Sequence, residues 1–261
     1  MTQSISSNAA YLSLVLSLFG GCTPTEVCKV TTQETGNDTA LDAIDRVVLG
    51  EPEIALSGLQ SALHILAMAN GEVIIAESRE APETTGRLAV LKSNGEVSDL
   101  VTDIPLVYFT HDVRYLGPNG FTLVPGEEEL LFSIFLGAGD VVPVDPDPNW
   151  DPDAGSNIYR VPLFDDSGDW LPPKSASELE LWATAPHAFI YDITWSPAGR
   201  LVATEPGQNA IYLFEPGPPP QVISIPLDEI PIEPVDGQET VESVPTGIDM
   251  ANGVPIVGHL G

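Results

Sequence analysis

Leu63 to Ser78 reads LHILAMANGEVIIAES. The first arm alternates, with Leu63, Ile65 and Ala67 on one face. The second arm, VIIA, is a nearly continuous apolar run. Side chains alternate faces along a strand, so the first arm reads as half covered and the second as covered on both faces. Asn70-Gly71 between them predicts a two-residue hairpin turn, because both central positions of that turn favour φ > 0. The stretch therefore reads as a β-hairpin.

The pattern returns three times. Phe121 to Ile134 reads FTLVPGEEELLFSI, Ile193 to Pro206 reads ITWSPAGRLVATEP, and Ile248 to Gly261 reads IDMANGVPIVGHLG. The turn glycines are Gly71, Gly126, Gly199 and Gly253. A further strand follows each of the first three hairpins: GRLAVLKSNGEV from Gly86, SNIYRVPL from Ser156 and NAIYLFEPG from Asn209. Val97 to Val101, Glu180 to Ala183 and Val222 to Ile225 complete units of four strands. Repeated four-stranded units predict an all-β protein of β-propeller type, with three full blades and a partial fourth. A parallel β-helix or a two-sheet sandwich is the alternative, and the regular four-strand unit argues against both. The units exceed the roughly 40–45 residues of a typical blade, so they carry loops. The longest interval contains an insertion at 137–155. Arg46 to Leu49 (RVVL) and Glu53 to Leu56 (EIAL) are candidates to close the last blade. A truncated or open propeller is the alternative, and the favoured one.

Ala67 to Ser78 and Pro197 to Pro206, with GRLAVLKSNGEV and NAIYLF after them, resemble the repeats of the NHL and gluconolactonase-like propeller superfamily. Within that group the ending VPTGIDMANGVPIVGHLG, Val244 to Gly261, is similar to the ScyD/ScyE family. The resemblance spans about residues 58–261. It implies an exported propeller of six or a similar number of blades, with no catalytic residues that carry over.

Charge narrows the partners. The chain of 261 residues holds 38 acidic and 9 basic side chains, a net charge of −29. Such a surface repels phosphate backbones, which excludes nucleic acid as an expected partner. It also avoids anionic lipid. It suits either a saline setting, where screening relieves self-repulsion, or cation binding.

Residues 1–21 contain no Asp, Glu, Lys or Arg, and Tyr11 to Phe19 is apolar. The run is too short to span a bilayer and has the length of a signal peptide. Gly20-Gly21-Cys22 resembles a bacterial lipobox, in which Cys22 would be lipidated, although the n-region lacks a basic residue. The expected organisation is a signal peptide or lipoprotein signal over 1–22, a polar linker over 23–45 and the propeller over 46–261. The expected location is extracytoplasmic, with membrane contact only through a lipid anchor. The alternative fate of Cys22 is a disulfide with Cys28.

Two clusters are candidate metal sites. The insertion GAGDVVPVDPDPNWDPDAG offers Asp140, Asp145, Asp147, Asn149, Asp151 and Asp153 as hard oxygen ligands for Ca²⁺. An EF-hand match fails, because Trp150 stands where the loop needs Gly. The bland alternative is a solvated acidic loop. The sixth residue after the turn glycine is Glu77, Glu205 and His259 in three copies. Equivalent positions converge near a propeller axis, so these three are an axial metal candidate able to activate water. Their bland alternative is a set of polar strand ends. No HExxH, G-x-S-x-G or phosphate-cradling loop occurs. Trp182 and Trp195 read as core, whereas Trp150 and Trp170 read as recognition candidates. The sequence thus favours a binding or scaffold module for a protein or small-molecule ligand over an enzyme. A metal-dependent, lactonase-like hydrolase is the alternative.

Overall fold

The computed structural model describes residues 26–29, 32–33, 48–49, 53–57, 59, 62–78, 85–109, 114–126, 128–137, 141–143, 151, 154–215, 217, 220–235, 238–241, 244–251 and 254–260. Of these, 26–29, 32–33, 48–49, 53–57, 108–109, 114–116, 141–143, 230–235, 238–241 and 260 are described by backbone alone. The chain divides into two compact units, Met1–Ala62 and Leu63–Gly261.

In the first unit, β1 (Glu26–Lys29) pairs with β4 (Glu53–Ser57), and β2 (Thr32–Gln33) pairs with β3 (Val48–Leu49). Strands β1 and β2 fall within the segment expected to be a linker. Of the two segments expected to close the last blade, Val48–Leu49 and Glu53–Ser57 are strands, and they pair with β2 and β1 within the first unit.

The second unit is a succession of antiparallel sheets. The first sheet contains β5 (Ala62–Ala67), β6 (Val73–Glu77), β7 (Thr85–Leu91) and β8 (Val97–Pro105). Strands β9 (Val107–Phe109) and β10 (Arg114–Leu116) lead to the second sheet. That sheet comprises β11 (Pro118–Leu123), β12 (Glu129–Phe135), β14 (Ser156–Pro162) and β16 (Glu180–Ala185). Between them, β13 (Val141–Pro143) joins β9, and β15 (Lys174–Ser175) extends the first sheet in parallel with β8. The third sheet is β17 (Asp192–Trp195), β18 (Leu201–Glu205), β19 (Ala210–Glu215) and β20 (Gln221–Pro226). After the pair β21 (Ile230–Val235) and β22 (Gln238–Val241) comes a final hairpin, β23 (Val244–Ala251) and β24 (Val254–Leu260). Three four-stranded meanders and a partial fourth are a β-propeller arrangement, as the repeat predicted.

The sheets pack face to face. One core joins Ile74, Leu88 and Val90 of the first sheet to Leu130, Phe132 and Ile134 of the second. The next joins Leu131 and Ile158 to Leu201, Ala203 and Phe214. A third joins Val202 and Ile211 to Ile248 of the last hairpin. Neighbours along one strand therefore serve opposite cores: Leu130 and Phe132 face one, Leu131 the other. This is why the second arm of the hairpin in each of the three complete sheets carries no polar alternation. Trp182 and Trp195 pack against the second core, as expected.

The turns differ from expectation in one respect. Gly71 has φ 83, and Asn70 is not among the residues of positive φ. Gly71 N–H donates to Met68 C=O at 3.0 Å, and Met68 N–H to Glu72 C=O at 2.8 Å. This is a type I turn closed by a left-handed glycine, the three-residue hairpin loop. Gly95, Gly168 and Gly199 repeat the same bonding. Asn70 instead acts through its side chain: its Oδ1 accepts the Glu72 N–H at 3.0 Å. Asn94 does the same for Glu96 at 2.9 Å. The Asn252-Gly253 turn lies outside the described residues.

Candidate functional site

The first strand of each unit carries a polar residue seven places before its turn glycine: His64, Asn119, Asp192 and Thr246. Strand β11 packs on β17, and β17 packs on β23. The approach is close because Gly120 lacks a side chain. A Cβ there would lie 2.3 Å from Asp192 Cα. Gly120 N–H donates to Tyr191 C=O at 2.7 Å across the junction. A bulge in β11 between Pro118 and Phe121 puts Asn119 beside the next sheet, where its Nδ2 donates to Ile190 C=O at 3.1 Å.

Asp192 is the centre of this cluster. Its Oδ1 accepts the Ile193 N–H at 2.9 Å, and its Oδ2 accepts the Ile248 N–H of β23 at 3.0 Å. His64 Nδ1 lies 4.0 Å from Asp192 Oδ1. The imidazole meets Tyr191 and Phe121 edge-on, at 5.3 and 6.3 Å between ring centres. Burial raises the Asp192 carboxyl to about 7; the two N–H bonds oppose this shift, and the charge of Asp249 adds to it. Burial lowers the His64 imidazole to about 4. Both groups are therefore poised to be uncharged in mildly acid water. Their side chains nonetheless keep 17% and 21% of their surface, so solvent reaches an edge of the pair. Among the described residues, His64 Nε2 and Asn119 Oδ1 are buried without a hydrogen-bond partner. Buried polar atoms are nearly always satisfied, so such an unpaired atom is a candidate for water or ligand.

The expected axial metal set is not assembled. Among the described residues no three His, Cys, Asp or Glu side chains are grouped to hold a metal ion. Glu77 and Glu205 sit at the ends of the doubly covered second strands, where burial forces a carboxylate to find partners at once. Glu77 accepts Arg87 Nε at 2.6 Å, and Arg87 also donates to Asp99 at 2.7 Å. Glu205 accepts the Phe189 N–H at 2.8 Å and the Gln208 N–H, tying the β18–β19 turn to the loop before β17. Burial raises its carboxyl, and these N–H bonds oppose that shift. His259 lies exposed on β24. Trp170 is also not a free recognition group: it stacks on Phe164 at 4.5 Å, and its Nε1 donates to Glu72 at 2.9 Å.

Of the calcium candidates, Asp140, Asp145, Asp147, Asn149 and Asp153 lie outside the described residues, as do Trp150 and Cys22 with the whole N-terminal signal. Asp151 is exposed, and its carbonyl accepts the Ala154 N–H. The base of the insertion is pinned, with Gly155 N–H donating to Gly137 C=O at 3.0 Å.

No family model matches the chain, and no curated protein matches it in sequence. Several solved structures are similar in fold. A structural-genomics protein assigned as a gluconolactonase aligns at TM-score 0.44 and 12% identity, over 76% of this chain and 56% of that one. A luciferin-regenerating enzyme aligns at 0.46 and 11%, over 78% and 55%. The WD40 β-propeller domain of Doa1 aligns at 0.35 and 14%, over 79% and 63%. These are β-propellers. At such identities the likeness is one of fold alone. The chain spans about half the length of the first two.

Proposed function

We propose that this chain is an exported binding module, whose ligand is a small, uncharged, hydroxyl-bearing molecule held where the first strands of the sheets converge. The observation that carries this reading is the approach of His64 to Asp192 between two sheets, with Asn119 of a third sheet bonded to Ile190 two residues before Asp192, and with two buried polar atoms left unpaired. An unpaired acceptor on Asn119 asks for a donor. His64 Nε2 gives or takes a hydrogen bond according to tautomer, which suits a hydroxyl. No described ion pair places Lys or Arg at the cluster, so nothing there favours an anion. The resemblance of Val244 to Gly261 to the ScyD/ScyE family agrees with a module without its own chemistry.

The test is a thermal-shift screen of the purified protein against neutral monosaccharides, polyols and sugar lactones. A ligand present at about 100 times its Kd stabilises by roughly 2.7 kcal/mol. A shift that disappears in both Asn119→Ala and His64→Phe supports the site. A panel without any shift, or one whose shifts survive both substitutions, overturns it.

A lactonase-like hydrolase is the second reading. The pairing of a raised acid with a lowered imidazole favours it, because groups pushed apart in this way suit acid–base work. It is separated from simple binding by proton release from the same lactones, measured with and without EDTA. Binding without proton release removes it.

A further inference from the structure

Asn-Gly occurs three times among the described residues, as Asn70-Gly71, Asn94-Gly95 and Asn119-Gly120. A glycine has no Cβ to shield its amide nitrogen, so that nitrogen is sterically free to attack the side chain of the asparagine before it. Two of the three stand in the same tetrapeptide, Asn-Gly-Glu-Val, at 70–73 and 94–97. They also stand in the same turn. Gly71 N–H donates to Met68 C=O at 3.0 Å, and Gly95 N–H to Lys92 C=O at 2.9 Å. Asn70 Oδ1 and Asn94 Oδ1 each accept the glutamate N–H two residues on, at 3.0 and 2.9 Å. Local sequence and turn bonding are matched, so a difference in reactivity between the two asparagines comes from their tertiary surroundings. Those surroundings differ. Asn70 Nδ2 donates to Glu72 Oε2 at 2.7 Å. Trp170 Nε1, from the loop between β14 and β15, donates to the same oxygen at 2.9 Å. Trp170 is itself stacked on Phe164 and packed on the first inter-sheet core. At the other turn Asn94 Nδ2 lies 3.5 Å from Glu96 Oε2, and Glu96 is exposed, its Oε1 3.4 Å from Lys92 Nζ. Asn119-Gly120 is buried, with Asn119 Nδ2 bonded to Ile190 C=O and Gly120 N–H to Tyr191 C=O.

We propose that Asn94 is a deamidation site, and that Glu72 and Trp170 together protect its twin, Asn70. In the reaction the Gly95 N–H gives its proton to solvent base, and the nitrogen forms a bond to Asn94 Cγ. The Cγ–Nδ2 bond breaks, and Nδ2 leaves as ammonia. Water then opens the five-membered imide at either carbonyl, leaving aspartate or isoaspartate at 94. Both products add a negative charge, and isoaspartate lengthens the backbone of the β7–β8 turn by one carbon. The Gly95 N–H and Asn94 Oδ1 are both bonded within the turn, so the turn loosens before the nitrogen attacks. At Asn70 loosening must also break a short bond to a carboxylate that Trp170 fixes from the core. Hydrogen bonds to an ionised acceptor are the stronger kind, so this extra bond decides between two otherwise matched sites.

The experiment incubates the full chain in mildly alkaline water enriched in heavy oxygen and follows each asparagine by peptide mapping and mass spectrometry. The expected result is label entering at 94 about tenfold or more faster than at 70, the ratio that one bond to a charged group sustains. Residue 119 stays unlabelled in the same samples, which shows that the fold remains closed. Trp170→Phe keeps a ring against Phe164 but removes the N–H donor. Glu72→Ala removes the acceptor without disturbing the Trp170 stack. Each brings the rate at 70 to within about threefold of that at 94. Glu96→Ala leaves the rate at 94 unchanged. Equal rates at 70 and 94 in the unaltered chain, faster conversion at 70, or no rise at 70 in Glu72→Ala overturns the proposal.

Discussion

His64 and Asp192 titrate in opposite senses across one pH window. A carboxyl held near 7 in the fold and near 4 when unfolded keeps a proton that the unfolded chain has lost. Its contribution is complete below about 4 and fades as pH rises toward 7. An imidazole held near 4 behaves conversely: its contribution is complete above about 6.5 and fades as pH falls toward 4. Each slope approaches about 1.4 kcal/mol per pH unit at most, and solvent at the edge of the pair reduces it. The two slopes nearly cancel, so this pair together adds little pH dependence of stability between about pH 4.5 and 6.5. Asp192→Asn should leave a protein that grows more stable as pH rises through this window. His64→Gln should leave one that loses stability over the same range. Urea denaturation at several pH values reads both, and parallel curves for the two variants would count against the pairing.

At the level of the element, the turn and the buried arm are where the sequence is most legible. Gly71, Gly126 and Gly199 are legible because each tight turn takes a left-handed residue. Asn70 was read as a φ > 0 residue, whereas it accepts an amide two positions on. The second arms were legible because a run without polar alternation can only be covered on both sides. The candidate site was less so. The sixth position after the glycine stands out in sequence because Glu is charged, yet in β6 and β18 that position is buried, and the carboxylates there are engaged in structural bonds. The seventh position before the glycine shows the same regular spacing and lies on the half-covered strand. Its residues differ in type, so no repeated letter marked it. The β11 bulge that positions Asn119 has no signature in sequence.

Three substitutions act at the scale of the element. Gly120→Ala forces a methyl against the β17 backbone, where contacts of 2.3–2.8 Å already await it. Backbone must move, and the loss should exceed the ~1 kcal/mol of an ordinary Gly→Ala strain. Gly71→Ala meets nothing within 4 Å and carries only the left-handed penalty, about 1–2 kcal/mol. Chemical denaturation ranks them, and a smaller effect at Gly120 would contradict the close approach of β11 and β17. Phe132→Ala, in the first inter-sheet core, should cost about 3–5 kcal/mol by the same measurement.

The whole molecule carries far more acid than base, and its described cations are already largely engaged by carboxylates: Arg87, Lys92, Arg160 and Arg200 each lie in an ion pair. The remaining carboxylates repel one another over distances that salt shortens. Raising ionic strength from 0.1 to 1 M shrinks the screening length from about 10 to about 3 Å. The melting temperature should climb across that range and do so with KCl as with NaCl. A flat or falling trend would show that self-repulsion is not what limits stability. Each meander is assembled largely from strands adjacent in the chain, and among the described residues each core joins a sheet to the next, so cooperativity is passed chiefly between neighbouring sheets. Such a linear array can nucleate at its best-packed pair of sheets and grow outward. Amide exchange should then be slowest in β12 and β18, each flanked by two cores, and should quicken stepwise toward the last hairpin, giving the molecule a gradient of local stability along its sequence.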